Sequence, residues 1–358
     1  MNTEKEKIRI IIVEDDESQK NMYQDCIDEF NLSDETLEIE AYKLSDDKEV
    51  PSILYDKRID AIVVDLDWGK GSQENEGNRL VRKLYKDCRV PIFIVSGNLN
   101  LLNDEYEESP ILKKYQRDTI IFGDLLEEIS NLYKTGYTKA LGSQSMIDQM
   151  LSKVFWNHMS SVISNWENQD GDIQMKRMLR FAVTRVNEML TVTTQDNHDE
   201  YDALEFYIKP PIKDRPFTGD IISYGDKKYV VITAACDMEQ GNSEFVVLCG
   251  VNYSIIESLN TRIRSVSNSA EKEMERYINN GKSRYHLLPP CTLFHGGLVD
   301  FQMVQSISTE DFNENASVVA SINPVFHKDI QARFSHYYGR QGQPQLSKDN
   351  IIEWIKAN

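Results

Sequence analysis

Cysteine is scarce in this 358-residue chain, and the five present (Cys26, Cys88, Cys236, Cys249 and Cys291) form no CxxC pair. An odd, scattered set argues against a disulfide framework and reads as reduced thiols in a cytoplasm. Long apolar runs are missing too. None approaches the roughly 18 residues that a membrane span needs, so no membrane partner is expected. The start, MNTEKEKIRI, is charged and runs straight into a strand, which excludes a secretory signal as an expectation. Basic residues are outnumbered, 40 Lys and Arg against 58 Asp and Glu, for a net charge of −18. Such a surface repels a phosphate backbone, so nucleic acid is not an expected partner.

What is present divides unevenly. Residues 1–140 hold 31 acidic and 19 basic side chains, whereas the rest hold 27 and 21. The length exceeds one ordinary core. With the break near 140, it predicts a first domain over 1–138, a helical hairpin spacer over 139–195 and a second domain over 196–358. The stretch from Gly136 through GYTKALGSQS is small and polar enough to be a linker.

In the first segment, KIRIIIVEDD and IDAIVVDLD are β-branched runs that end abruptly in Glu14, Asp15 and Asp16, and in Asp65 and Asp67. Continuous apolar runs of this length suit parallel strands buried on both faces. LEIEAY and VPIFIVSGN add two strands, the latter ending at Ser96, and TIIF is expected to be the fifth. Helical spacing lies between them, as at Met22, Tyr23, Cys26, Ile27 and Phe30. Strand–helix alternation predicts an α/β fold, a doubly wound parallel five-stranded sheet, with its chemistry beyond the carboxyl ends of the strands. Glu14, Asp15, Asp65 and Ser96 all fall at that edge. Converging carboxylates repel unless a cation joins them, and hard oxygen ligands suit Mg²⁺. The same residues also suit a plain acidic rim.

IIIVEDDE, DAIVVDLD, EGNRLVRKLYKD and VPIFIVSGN together resemble a response-regulator receiver (CheY-like) domain, from Lys7 to about Tyr133. The resemblance implies that Asp65 is a phosphoacceptor and that Glu14 and Asp15, with Asp65, bind Mg²⁺. It also implies that Ser96 is a switch hydroxyl and that a sensor histidine kinase or other phosphodonor is the upstream partner. One family feature departs. Where receivers carry Lys-Pro at the end of the fifth strand, this sequence is expected to place Phe122-Gly123, with Lys113, Lys114 or Arg117 as substitutes. That departure leaves a degenerate pseudo-receiver open.

The spacer carries two apolar stripes, Ile147, Leu151, Val154, His158, Val162 and Trp166, and Met175, Met178, Leu179, Ala182, Val186 and Met189, around the turn NQDGD at 168–172. His158 reads as a core or interface residue rather than a phosphotransfer site. Methionine-rich stripes suit a homodimer and equally suit docking on the second domain.

From about residue 200 strands return, and an α+β domain with a small bent β-barrel or sheet is expected. GDIISYGDKKYVVIT is similar to barrels of the PemK/MazF toxin type. Cys236, Asp237, His286, Cys291 and His295 are the residues for an effector site, through a thiol nucleophile or a zinc ion. Arg333, Tyr337, Tyr338 and Arg340 are expected at an interface with a partner protein, Cys236 then being buried. The function expected is two-component-type signalling through Asp65 to a C-terminal effector, and the general look of both halves suggests bacterial anti-phage defence. The alternative is a toxin-like nuclease or hydrolase restrained by a pseudo-receiver.

Overall fold

The computed structural model describes residues 5–68, 76–102, 106–166, 171–191, 200–342 and 344–358. The chain divides into two compact units, residues 1–193 and 194–358. No helix among the described residues is long and apolar enough to cross a membrane.

The first unit runs β1 (Glu6–Val13), α1 (Glu17–Ser33), β2 (Leu37–Leu44), α2 (Val50–Asp56), β3 (Ala61–Val64), α3 (Glu76–Asp87), β4 (Ile92–Ser96), β5 (Leu112–Gln116) and α4 (Phe122–Lys134). Its five strands are parallel in the order β2-β1-β3-β4-β5, the doubly wound arrangement expected for a receiver. Pleating sorts the side chains. Ile11, Val13, Ile62, Val64 and Ile94 pack on one face with Leu80, Val81 and Leu84 of α3. Ile8, Ile10, Ile12, Ala61, Val63 and Phe93 pack on the other with Tyr23 and Ile27 of α1 and Leu126 and Ile129 of α4.

Local chemistry sets the helix ends. Asp16 N-caps α1 by accepting from the Ser18 and Gln19 amides. At α3, a Cβ on Gly77 would lie 2.6 Å from the Asp65 carbonyl oxygen, so only glycine lets the helix approach the β3 loop.

Two expectations are corrected. The fifth strand is LKKYQ at 112–116, and TIIF instead leads into α4. As an edge strand, β5 buries only Leu112 and is partly exposed along the rest, so it lacks the apolar signature of its neighbours. The linker stretch is also structured: α5 (Tyr137–Leu141) buries Thr138, whose hydroxyl donates to Asp60 at 2.7 Å. Between β4 and β5, the described residues contain a 3-10 turn at Leu99–Leu101 and no α-helix. Beside this crossover lies a groove of about 730 Å³ lined by Leu84, Tyr85, Leu112, Tyr137, Leu141 and Ile147.

The hairpin follows as α6 (Met146–Val154), a π turn (Phe155–Met159), a 3-10 turn (Ile163–Trp166) and α7 (Gly171–Thr191). Val154 and Val186 are buried. His158, expected in the core or at an interface, is exposed and so lies outside the core. Most of the NQDGD turn lies outside the described residues.

The second unit is α+β. Its seven strands are β6 (Tyr207–Ile208), β7 (Asp220–Tyr224), β8 (Lys227–Val231), β9 (Phe245–Asn252), β10 (Tyr285–Leu288), β11 (Gly297–Ser308) and β12 (Ser317–Ile322). They form an open sheet in the order β10-β11-β9-β8-β7-β12-β6. The β7–β8 hairpin turns at Gly225, whose φ of +60° suits a two-residue loop. β11 breaks register against β9 between Val299 and Val304, a bulge that bends the sheet. Helices α8 (Ala235–Gln240), α9 (Ser254–Arg264), α10 (Asn268–Ile278), α11 (Thr309–Asn315), α12 (Pro324–Gly339) and α13 (Lys348–Ala357) complete it.

Candidate functional site

The ends of β1 and β3 deliver the acidic edge. The Glu14 amide donates to the Leu44 carbonyl and the Asp65 amide to the Val13 carbonyl, so each side chain emerges where its ladder stops. Glu14 is 1% exposed and Asp65 3%, while Asp15 is exposed. Their ligand oxygens lie within 4.8 Å of one another, the one such cluster of three among the described residues. Asp16 points away as the α1 cap.

A basic residue completes the site. Arg117 directly follows β5, its amide donating to the Ser96 carbonyl at 3.0 Å. Its Nη2 reaches Asp65 Oδ2 at 2.7 Å and Glu14 Oε2 at 2.9 Å. With the fifth strand at 112–116, Arg117-Asp118 occupies the position that the sequence reading assigned to Phe122-Gly123. Phe122 is instead buried and stacks on Tyr23, with ring centroids 4.0 Å apart.

Burial pushes the Glu14 carboxyl up to about 6, helped by the Asp65 charge and opposed by the Asp16 amide and Arg117. Burial also pushes the Tyr23 hydroxyl beside it up to about 12. Three buried polar atoms here have no hydrogen-bond partner: Asp65 Oδ1, Arg117 Nε and Tyr23 Oη. An orphaned carboxylate oxygen beside two further carboxylates fits a hard divalent ion that keeps several waters. Ser96 is fully buried at the end of β4, its hydroxyl accepting from the Asn98 amide at 3.3 Å.

In the second unit, Cys236, Asp237, His286, Cys291 and His295 are not brought together, since no three of them cluster as ligands. Cys236 is exposed, and its Sγ meets only its neighbour Asp237, at 3.5 Å. The buried thiol is Cys249, on β9, pushed up to about 12 by burial. His295 is exposed and Cys291 half-buried in a turn. His286 is 6% exposed, and burial with the nearby Arg333 charge pushes it down to about 3.

The interface residues divide. Arg333 is half-buried, donating to the Tyr285 carbonyl at 2.9 Å and the Lys282 carbonyl at 3.2 Å. Tyr337 is buried, and its hydroxyl accepts from Gln302 Nε2 at 2.7 Å. Arg340 lies exposed over the Tyr337 ring at 3.5 Å, and Tyr338 is exposed.

No family model and no curated protein matches this chain. Solved structures do. A CheY-like response-regulator receiver domain from Methylobacillus flagellatus is 17% identical, with 35% of this chain and 98% of that chain covered, at a TM-score of 0.27. The receiver domain of a sensor histidine kinase from Pseudomonas aeruginosa, with a magnesium ion coordinated in its active-site cleft, is 16% identical, with 36% and 98% covered, at a TM-score of 0.26. A MazE–MazF structure from Deinococcus radiodurans is 12% identical, with 36% and 99% covered, at a TM-score of 0.24.

Proposed function

We propose that the first unit is a phosphorylatable receiver in two-component-type signalling, with Asp65 as phosphoacceptor. The observation that carries this reading is the orphaned, buried Asp65 Oδ1 among the carboxylates of Glu14 and Asp15. An Asp65 oxygen attacks the donor's phosphorus. The new O–P bond forms as the bond to the donor's imidazole nitrogen or carboxylate oxygen breaks, and the leaving group keeps that electron pair. Glu14, Asp15 and Asp65 would hold Mg²⁺, which when bound offsets charge on the phosphoryl oxygens. The modified side chain carries about −1.5 to −2 charges, which the Ser96 hydroxyl can follow by donating to a phosphoryl oxygen. Upstream stands a sensor histidine kinase or other phosphodonor. Downstream, the second unit is an effector or partner-binding domain. Met175, Leu179, Val183 and Leu190 lie exposed along one side of α7, which supports a homodimer through the hairpin.

Acetyl phosphate with Mg²⁺ tests the reading by intact mass. Wild type should gain one phosphoryl group and Asp65→Ala none. A gain that persists in the variant places the acceptor elsewhere, and no gain in wild type favours a plain acidic rim.

A further inference from the structure

We propose that Arg117 is a tethered counter-cation that holds the place of the divalent ion between Glu14 and Asp65, and that ion binding requires its guanidinium to leave. The inference rests on reading Glu14, Asp15 and Asp65 as an ion site.

Two nearly buried carboxylates repel each other and lose hydration unless positive charge lies between them. One nitrogen, Arg117 Nη2, supplies it, contacting Asp65 Oδ2 at 2.7 Å and Glu14 Oε2 at 2.9 Å. That arrangement is a compromise. A guanidinium binds a carboxylate best as a two-pronged fork, with two parallel N–H donors on one acid. Here one prong is shared between two acids, Arg117 Nε–H is buried without an acceptor, and Asp65 Oδ1 is buried without a donor. A single positive charge thus stands where a doubly charged ion could satisfy the leftover oxygen.

The competition is steric as well as electrostatic, because the guanidinium already contacts the carboxylates that would bind the ion. It also persists across the working pH range, since a guanidinium does not deprotonate there. An exit exists: the Arg117 side chain is 22% exposed. Once released from Glu14, its unused Nε–H is a donor for an incoming oxyanion on Asp65. Arg117 is therefore a positioning residue that sets how tightly the ion binds.

Mg²⁺ titration calorimetry on the full chain tests this, at constant ionic strength. Arg117→Ala and Arg117→Gln should each bind Mg²⁺ at least tenfold tighter than wild type. The Gln variant keeps most of the side-chain volume should the alanine variant misfold. Without Mg²⁺ both variants should melt below wild type, and added Mg²⁺ should raise their Tm more. Equal or weaker affinity in the variants, or no binding by any of the three proteins, overturns the proposal. Acetyl phosphate labelling of wild type reports on the receiver reading separately. Labelling with equal affinities sinks only the competition, whereas tighter binding in the variants without labelling keeps it and sinks the phosphoacceptor.

Discussion

Arg333 Nη1 lies 2.7 Å from His286 Nδ1, and because a guanidinium has only donors, this imidazole nitrogen must accept. The ring is therefore held neutral inside the second unit. Arg333 and Asp329 of α12 are the charged groups facing it, Asp329 Oδ2 at 3.6 Å.

Acid sensitivity follows with a definite sign. The folded His286 value, about 3, lies below the ordinary 6.5, so the native state binds fewer protons. Its stabilising contribution is complete above about pH 6.5 and is lost as pH falls toward 3, at roughly 1.4 kcal/mol per pH unit. His327, also pushed down by burial, adds in the same direction. Urea unfolding between pH 4 and 7 should show a steeper acid slope in wild type than in His286→Asn. Identical slopes would refute it.

Thr138→Val should destabilise the first unit by about 1–2 kcal/mol, because the buried Asp60 carboxylate loses a hydroxyl donor at 2.7 Å. The same variant should be cut faster by protease around 136–145. Unchanged cleavage would mean that α5 behaves as a free linker.

Gly77→Ala should cost about 1–3 kcal/mol, since the added methyl would sit 2.6 Å from both the Asp65 carbonyl oxygen and the Leu66 Cα. Those contacts are backbone and cannot swing aside. A thermal midpoint equal to wild type would show that α3 shifts freely.

Thiol labelling should rank the cysteines. Exposed Cys236 should be modified first, while Cys249, fully buried and shifted toward the neutral form, should stay unmodified until the second unit unfolds. Mass mapping after brief alkylation checks both.

The central strands were legible because burial on both faces writes uninterrupted β-branched runs, as at Ile10–Val13 and Ile62–Val64. The acids that end those runs marked Glu14, Asp15 and Asp65 for the same reason. β5 escaped because an edge strand tolerates LKKYQ, while the more apolar TIIF imitated a strand on its way into α4. Misplacing it left Arg117 as one of three candidate substitutes, beside Lys113 and Lys114, and only the end of β5 at Gln116 singles it out. In the second unit, the Arg333–His286 pair joins residues 47 apart in the chain, and no local periodicity encodes such a pairing. Cys236 is exposed where burial was expected, and Cys249 is the buried thiol, because both follow β-rich runs and only the strand pairing separates the middle of β9 from the first turn of α8.

β1 has an ambiguity that its own apolar residues do not resolve. Both of its faces are hydrophobic, so a shift by one residue would send Ile8, Ile10 and Ile12 into the other layer at a cost in shape rather than polarity. Charged groups supply the missing reference mark. The Arg9 amide donates to Asp60 Oδ2 at 3.0 Å near one end, and Glu14 meets Arg117 at the other. A slipped strand would bury one of these carboxylates without its partner. The acidic edge thus serves as an alignment key for the sheet, and substitutions that neutralise it should blur strand frame as well as chemistry.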